Sequence, residues 1–342
     1  MLQITDLRED FLLRKFNTFH INASARYFTE ISNADQLQDL IHSGLLNEHP
    51  FLLLGGGSNV LFTGNMNGIV AHISNKSIEV IEKNEDSVLV KASAGENWHE
   101  FVSFCVENGF GGLENLSLIP GNVGSCPIQN IGAYGVEVKD CFHSLEAFNL
   151  QTGELKVYAH DECEFGYRDS IFKKELKGKV VIWSVTFGLN LNPAVHIEYG
   201  AIRQELSAMG IEKPSISDVS KAVCTIRQNK LPDPDVLGNA GSFFKNPTVD
   251  LKFADKLKES FPNLVSFPQG DDRVKLAAGW LIEQCGWKGY RDGYAGVHEN
   301  QALVLVNYGN ASGTDLLTLA HKIQNSVYVR FGVKLDMEVN VI

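Results

Sequence analysis

The chain has 342 residues, 44% hydrophobic and 21% charged, the balance of a globular protein with apolar material for two or three cores. A formal net charge of -11 argues against a surface built to hold a nucleic-acid backbone, so any phosphate must be met by local groups. Six cysteines at irregular spacing, with no C-x-x-C pair, argue against a disulfide framework and a structural zinc site, and fit reduced thiols in a cytosol.

The charged run from Arg8, Glu9 and Asp10 to Arg14 and Lys15 lacks the apolar core of a signal peptide. No stretch approaches the roughly 20 apolar residues of a membrane helix, so a soluble cytoplasmic protein is expected. A short helix over about Ala34 to Ile41 leads into the apolar strand Phe51 to Leu54, which stops at Gly55-Gly56-Gly57-Ser58-Asn59. Strand-like runs follow at Ile69 to Ile73, Ile78 to Ile81 and Val88 to Ala92. Trp98, Phe101, Val102, Cys105 and Val106 then recur at helical spacing up to the stop signal Asn108-Gly109.

From Gly111 to Gly135 the chain loses periodicity and becomes rich in Gly, Asn, Ser and Pro while keeping enough apolar residues to pack, the mark of an ordered loop that touches a ligand. A hairpin is expected over Leu145 to Leu150 and Leu155 to Tyr158, then a strand over Val180 to Phe187, with Pro193 as a domain edge. The second half predicts a helix over about Ser217 to Gln228 with the buried stripe Val219, Ala222, Val223 and Ile226. A helix from about Arg273 to Cys285, a strand from Ala302 to Val306, a helix from about Thr314 to Phe331 closed by Gly332, and a final strand from Leu335 to Val341 follow.

Gly55 to Gly57 can adopt positive φ and present consecutive N–H groups as an anion-binding nest, although an isolated Gly-Gly-Gly is equally a tight turn. The dinucleotide fingerprint G-x-G-x-x-G is absent, since Leu61 and Phe62 follow where a helix should start, and no P-loop occurs. Pro120-Gly121-Asn122-Val123-Gly124 and Asn130-Ile131-Gly132-Ala133-Tyr134-Gly135 form a second cluster dense in backbone donors, and two such clusters suit an extended cofactor. His298-Glu299 and the other histidines make no H-E-x-x-H pairing, so no catalytic metal is expected.

These three glycine segments, in order and spacing, resemble the FAD-binding motifs of the flavin-dependent UDP-N-acetylenolpyruvoylglucosamine reductase family. The resemblance runs over essentially the whole chain. It extends to Tyr167-Arg168-Asp169-Ser170, to Gly238-Asn239-Ala240-Gly241-Ser242-Phe243-Phe244-Lys245-Asn246-Pro247 and to Leu335-Asp336-Met337-Glu338-Val339. Singly, Arg168 reads as a surface arginine, Ser242 as a turn residue and Glu338 as an exposed strand carboxylate; together, in family order, they read as a site.

The resemblance implies an α+β protein with an FAD-binding fold of the vanillyl-alcohol-oxidase/PCMH type and an α/β substrate domain. The implied division is 1–70 with 332–342, then 71–192, then 193–331, the last holding the UDP-sugar. It implies NADPH-dependent reduction of an enolpyruvyl ether of UDP-N-acetylglucosamine, in peptidoglycan precursor synthesis, by a monomer with FAD as cofactor. The carried-over cofactor residues are Gly55, Gly56, Gly57, Ser58, Asn59, Pro120, Gly121, Asn122, Gly124, Gly132, Ala133 and Tyr134. Arg168 would stabilise growing carboxylate charge, Ser242 would protonate the α-carbon, and Glu338, facing the substrate carboxylate, would be protonated and donate a hydrogen bond. Tyr199, Lys230, Asn246 and Gln301 would hold the UDP-sugar.

The stretch from His196-Ile197-Glu198-Tyr199-Gly200 to Lys213 is similar to the family's longer, tyrosine-loop (type I) form and predicts a mobile lid, with an ordinary surface connection as the alternative. Two positions depart from the family pattern: Cys126 stands where a small residue such as Ser is expected, and Asn340 where an arginine is common. The rival readings are a flavin oxidase of the same superfamily, disfavoured by the lack of a histidine for covalent flavin attachment, and a UDP-sugar sensor that lost its flavin.

Overall fold

The computed structural model describes residues 7–342. The described residues divide into two compact units, one formed by 7–11, 25–56 and 67–229 and the other by 12–24, 57–66 and 230–342. The segment after Pro193 stays with the first unit as far as Asn229, and one boundary falls inside the glycine loop, between Gly56 and Gly57.

In the first unit a four-stranded sheet runs in the order Arg8–Leu12, Ser24–Ile31, Met66–Ile73, Phe51–Leu54. Phe51–Leu54 lies parallel to Ile69–His72, so its C-terminal end delivers the glycines at one end of the sheet. A five-stranded antiparallel sheet has the order Leu155–Ala159, Phe142–Asn149, Val180–Asn190, Ser87–Ser93, Ile78–Lys83. Strict alternation buries Val88, Val90 and Ala92 on one face, where they meet Trp98, Phe101, Val102 and Cys105 of the helix Trp98–Glu107. That helix starts where the Asn97 side chain accepts from the amides of His99 and Glu100, at 2.9 and 3.1 Å.

In the second unit a sheet of Gly238–Ser242, Val304–Asn307, Ala295–Val297 and Arg291–Asp292 accompanies a three-stranded sheet of Thr248–Asp250, Arg273–Leu276 and Ser266–Gln269. The helix Gly313–Phe331 opens with a capping box between Ser312 and Asp315 and ends at Gly332, whose φ of 68° is left-handed. The early segments are tied in by side chains and backbone: Asn239 N donates to Thr18 O at 2.9 Å, and the buried Asn307 Nδ2 donates to Phe19 O at 2.8 Å.

Two expected elements differ. The helix expected over Arg273 to Cys285 is a strand, Arg273–Leu276, followed by a helix of only Ala278–Gln284. Val274 and Leu276 alternate into a core, and the strand pairs with Ser266–Gln269 across Gly270, a hairpin that fixes period two before the helix begins. The final strand is also shorter than expected: Asn340–Val341 pairs in parallel with Val60–Leu61, while Met337 makes an isolated bridge to Phe244. The segment after Tyr199 forms a helix, Gly200–Ala208, with Ile202 and Leu206 buried.

Candidate functional site

The first unit brings two of the glycine clusters into contact. A Cβ on Gly56 would lie 2.8 Å from Asn122 Oδ1 and 3.1 Å from Gly121 Cα, and a Cβ on Gly55 would lie 2.9 Å from Ser125 Oγ. Only glycine lets the strand end approach the 121–125 turn this closely. The turn is fixed from the other side: Val123 N donates to Glu96 O and Gly124 N to Ala94 O, both at 2.9 Å, and Asn122 Nδ2 donates to Gly95 O at 3.2 Å. Pro120 is exposed beside Gly121, and Cys126, one of the two departures from the family pattern, is fully buried with its thiol pushed well up by burial.

The third cluster is a small hairpin, Gly132–Ala133 against Val136–Glu137, with Tyr134 at its turn in the left-handed conformation, φ 51°. Arg168, at φ 53°, is bound to this hairpin: its Nη2 donates to Gly132 O at 2.6 Å and its Nη1 to Asn130 O at 3.4 Å. Tyr199 N-caps the helix Gly200–Ala208 and is exposed, its ring edge-on to Tyr134 at 5.3 Å. The first unit therefore gathers Arg168, the 132–134 hairpin and Tyr199.

Arg227 was missed by sequence reasoning. It lies beside the buried stripe of the helix Ile216–Lys230, donates to the Tyr134 phenol, and sends Nε to Leu118 O at 3.2 Å. Burial pushes the Tyr134 phenol up, against the opposing pull of the Arg227 guanidinium. A guanidinium desolvated among a phenol, a thiol and a carbonyl is suited to an anionic ligand. The only sequence signal was a charged residue adjoining an apolar stripe.

In the second unit Gly57 takes a φ of 63°, and a Cβ there would sit 2.0 Å from Phe16 O. Asn59 O accepts from Asn340 N at 3.1 Å and from Asn340 Nδ2 at 3.0 Å, so the asparagine that stands in place of the common arginine braces the glycine loop. Asn59 Nδ2 in turn donates to Glu338 O at 3.4 Å.

Ser242 ends its strand after a register shift. The buried Asn239 creates the shift, accepting from Gly241 N at 2.9 Å and donating to Leu237 O and Pro232 O at 2.8 and 3.1 Å. Phe243 and Phe244, both buried, anchor the chain directly after Ser242, and Glu338 N donates to Phe243 O at 2.8 Å. The unit thus brings Ser242, Glu338 and Asn59 onto adjoining backbone. Asn246 Oδ1 accepts from Ala278 N at 2.9 Å, and Gln301 Oε1 lies 3.2 Å from where a Cβ on Gly279 would stand, so these two meet at the start of one helix. Lys230 is exposed at the end of its helix.

Among the described residues no group of three or more His, Cys, Asp or Glu side chains is placed to hold a metal ion, and no helix is long and apolar enough to cross a membrane. The arrangement offers two arginines, Arg168 and Arg227, held against a glycine-rich hairpin, and separately a hydroxyl and a carboxyl on backbone segments bonded to each other.

Residues 233–342 match the family model described as UDP-N-acetylenolpyruvoylglucosamine reductase, C-terminal domain, and residues 25–158 match the FAD binding domain. The UDP-N-acetylenolpyruvoylglucosamine reductase of Pseudomonas syringae pv. tomato is 52% identical over 329 residues, spanning 96% of this chain and 97% of the relative. That of Flavobacterium johnsoniae is 48% identical over 338 residues, 98% of this chain and 100% of the relative. The crystal structure of UDP-N-acetylenolpyruvylglucosamine reductase from Thermus caldophilus aligns with a TM-score of 0.69 over 98% of this chain and 99% of that one; at 23% identity this is a likeness of fold.

Proposed function

The chain belongs to the UDP-N-acetylenolpyruvoylglucosamine reductase family, and we infer from that premise how its residues share the work. Its fold is an FAD-binding domain of the vanillyl-alcohol-oxidase/PCMH type joined to the reductase C-terminal domain. It reduces the enolpyruvyl ether of UDP-N-acetylglucosamine to UDP-N-acetylmuramate, a step of peptidoglycan precursor synthesis, with NADPH as reductant. Near-full-length identity of about one half to reductases from two bacterial groups carries this reading.

The residues present fit FAD: Gly55 and Gly56 approach Gly121 and Asn122 so closely that a Cβ on either glycine would collide, which brings two glycine-rich backbone segments side by side. Gly57, Ser58, Asn59, Pro120, Gly124, Gly132, Ala133 and Tyr134 complete the proposed cofactor set. The chemistry supplied by bound FAD is hydride transfer, from NADPH to the β-carbon of the enolpyruvyl group. The protein's own task is to handle charge and one proton. Arg168, a permanently charged planar fork, stabilises the negative charge that spreads from the α-carbon into the adjoining carboxylate. Ser242 gives its hydroxyl proton to the α-carbon, a transfer that a strongly basic carbanion makes feasible when geometry is fixed. Glu338, in its protonated form, donates a hydrogen bond to the same carboxylate.

Tyr199, Lys230, Asn246 and Gln301 hold the UDP-sugar in this reading, Lys230 and Tyr199 nearest the diphosphate. Asn246 commits its carbonyl oxygen to Ala278 N and so meets substrate through its amide nitrogen. The three-part division, with 193–331 as the substrate portion, the longer tyrosine-loop form with Tyr199 on a lid, a monomeric state and a cytoplasmic location belong to the same proposal.

The test is the visible spectrum of the purified protein under anaerobic conditions. Addition of NADPH should bleach the flavin band, and enolpyruvyl-UDP-N-acetylglucosamine should restore it. A protein without a flavin band, or one that only oxygen reoxidises, rejects the assignment.

A further inference from the structure

Leu118 takes a φ of 58°, a left-handed conformation that a branched side chain adopts only when its surroundings hold it there. It stands two residues before Pro120, in the loop that leads into Gly121 and Asn122. Both of its backbone groups are held by side chains. Its N–H donates to His99 Nδ1 at 3.0 Å, and its carbonyl accepts from Arg227 Nε at 3.2 Å. The same helical turn that carries His99 fixes the rest of the loop: Trp98 Nε1 donates to Leu116 O at 2.9 Å, Trp98 N donates to Gly121 O at 3.0 Å, and Asn97 bridges Asn122.

An imidazole that accepts at Nδ1 must be neutral, with its proton on Nε2. A proton on Nδ1 would remove the acceptor from the Leu118 amide. It would also set a second positive charge facing Arg227.

We propose that His99 is a positioning residue for the flavin-holding loop: its neutral ring clamps Leu118 in the left-handed conformation that presents Pro120 to Asn122, and its protonation loosens the loop and weakens flavin binding. The proposal rests on the FAD reading above and deepens it. The groups facing His99 are Glu100 on its own helix and Arg227 from the helix Ile216–Lys230; Leu118 to Asn122 bring no titratable side chain. Burial first, and Arg227 second, hold the ring below its ordinary value against the opposing pull of Glu100. The clamp is therefore closed at neutral pH and opens only in acid, below the ordinary histidine range.

The experiment follows flavin release from diluted holoenzyme, as recovered FAD fluorescence, between pH 7.5 and 5.5. Wild type should release FAD faster as pH falls through the lower half of that window. H99N, whose side-chain carbonyl accepts without titrating, should flatten the profile. H99L, with no acceptor, should release FAD roughly tenfold faster at every pH. In an L118G background, where glycine takes positive φ without help, H99L should lose most of its effect. Retention of the wild-type pH profile by H99N, or an unchanged release rate in H99L, overturns the proposal. A protein without flavin at pH 7.5 instead rejects the FAD reading. The clamp is then judged by amide exchange at Leu118, which acid should accelerate in wild type relative to H99N; equal exchange in the two overturns it.

Discussion

The amide of Glu338 donates to the carbonyl of Phe243 at 2.8 Å, so the hydroxyl of Ser242 and the carboxyl of Glu338 are carried on two backbone segments bonded to each other. Mutation at one site therefore reads out chemistry only if that bond survives. Glu338→Gln keeps both the backbone bond and a hydrogen-bond donor, whereas Glu338→Ala removes the donor. The Gln variant should keep most of kcat and the Ala variant should lose roughly a hundredfold. Steady-state kinetics on the two proteins checks this, and equal losses reject a donating Glu338.

Ser242→Ala should separate the two halves of turnover. Reduction of flavin by NADPH needs no proton from Ser242 and should keep its rate in anaerobic stopped flow. Reoxidation by the enolpyruvyl substrate should slow by roughly 10² to 10⁴. Slowing of both halves would point to damaged cofactor binding.

Arg168→Lys keeps the charge but loses the fork that reaches Gly132 O and Asn130 O. It also leaves a left-handed non-glycine residue with less to hold it. A fall in kcat/KM of roughly 10² is expected, most of it in kcat, and a change confined to KM would make Arg168 a substrate-binding residue only.

Asn307 is buried and makes three hydrogen bonds, donating to Phe19 O and accepting from the amides of Gly309 and Ala311. Asn307→Ala orphans all three partners at the junction of the 12–24 segment with its sheet. Destabilisation of roughly 2 to 4 kcal/mol is expected in urea unfolding. A loss below about 0.5 kcal/mol would mean that water takes over the partners.

Acid should destabilise the fold through histidines held below their ordinary value, His298 chiefly by burial and His99 by burial and Arg227. A group whose folded pKa is depressed binds more protons when unfolded. Its stabilising contribution is complete above the unfolded pKa of about 6.5 and is lost as pH falls toward the folded value. The melting temperature should thus decline between pH 7 and pH 5, with a shallower slope in H298Q. An identical slope in that variant removes His298 from the account.

Much of this molecule is legible from local pattern, and the failures share a cause. Trp98–Glu107 and Gly313–Phe331 stand where apolar spacing and caps put them, because each helix satisfies its own backbone and buries one continuous face, and Phe51–Leu54 stands where its apolar run ends at the glycines. Arg273–Leu276 was missed because its alternation is only four residues long and its pairing partner, not its sequence, decides for a strand. The shortened strand at the C-terminal end reflects Leu335 and Val339, whose burial mimics strand periodicity in an irregular segment. In the candidate site the glycine loops were visible because the need for glycine is local. The roles of His99 and Arg227 were not visible, since the carbonyl that receives Arg227 lies 109 residues away along the chain.

The pairing of Asn340–Val341 with Val60–Leu61, and of Asn59 with Glu338, sets an order on biosynthesis. Asn59 and Glu338 are 279 residues apart, and at roughly 5 to 20 residues per second the ribosome needs about a quarter of a minute to one minute to deliver the second after the first. The stretches 12–24 and 57–66 emerge early yet belong to a unit completed only once 230–342 has been made. Throughout that interval they are nascent chain awaiting partners, so chaperone engagement should be greatest before residue 340 has cleared the exit tunnel, and premature termination there should leave this half of the molecule unassembled.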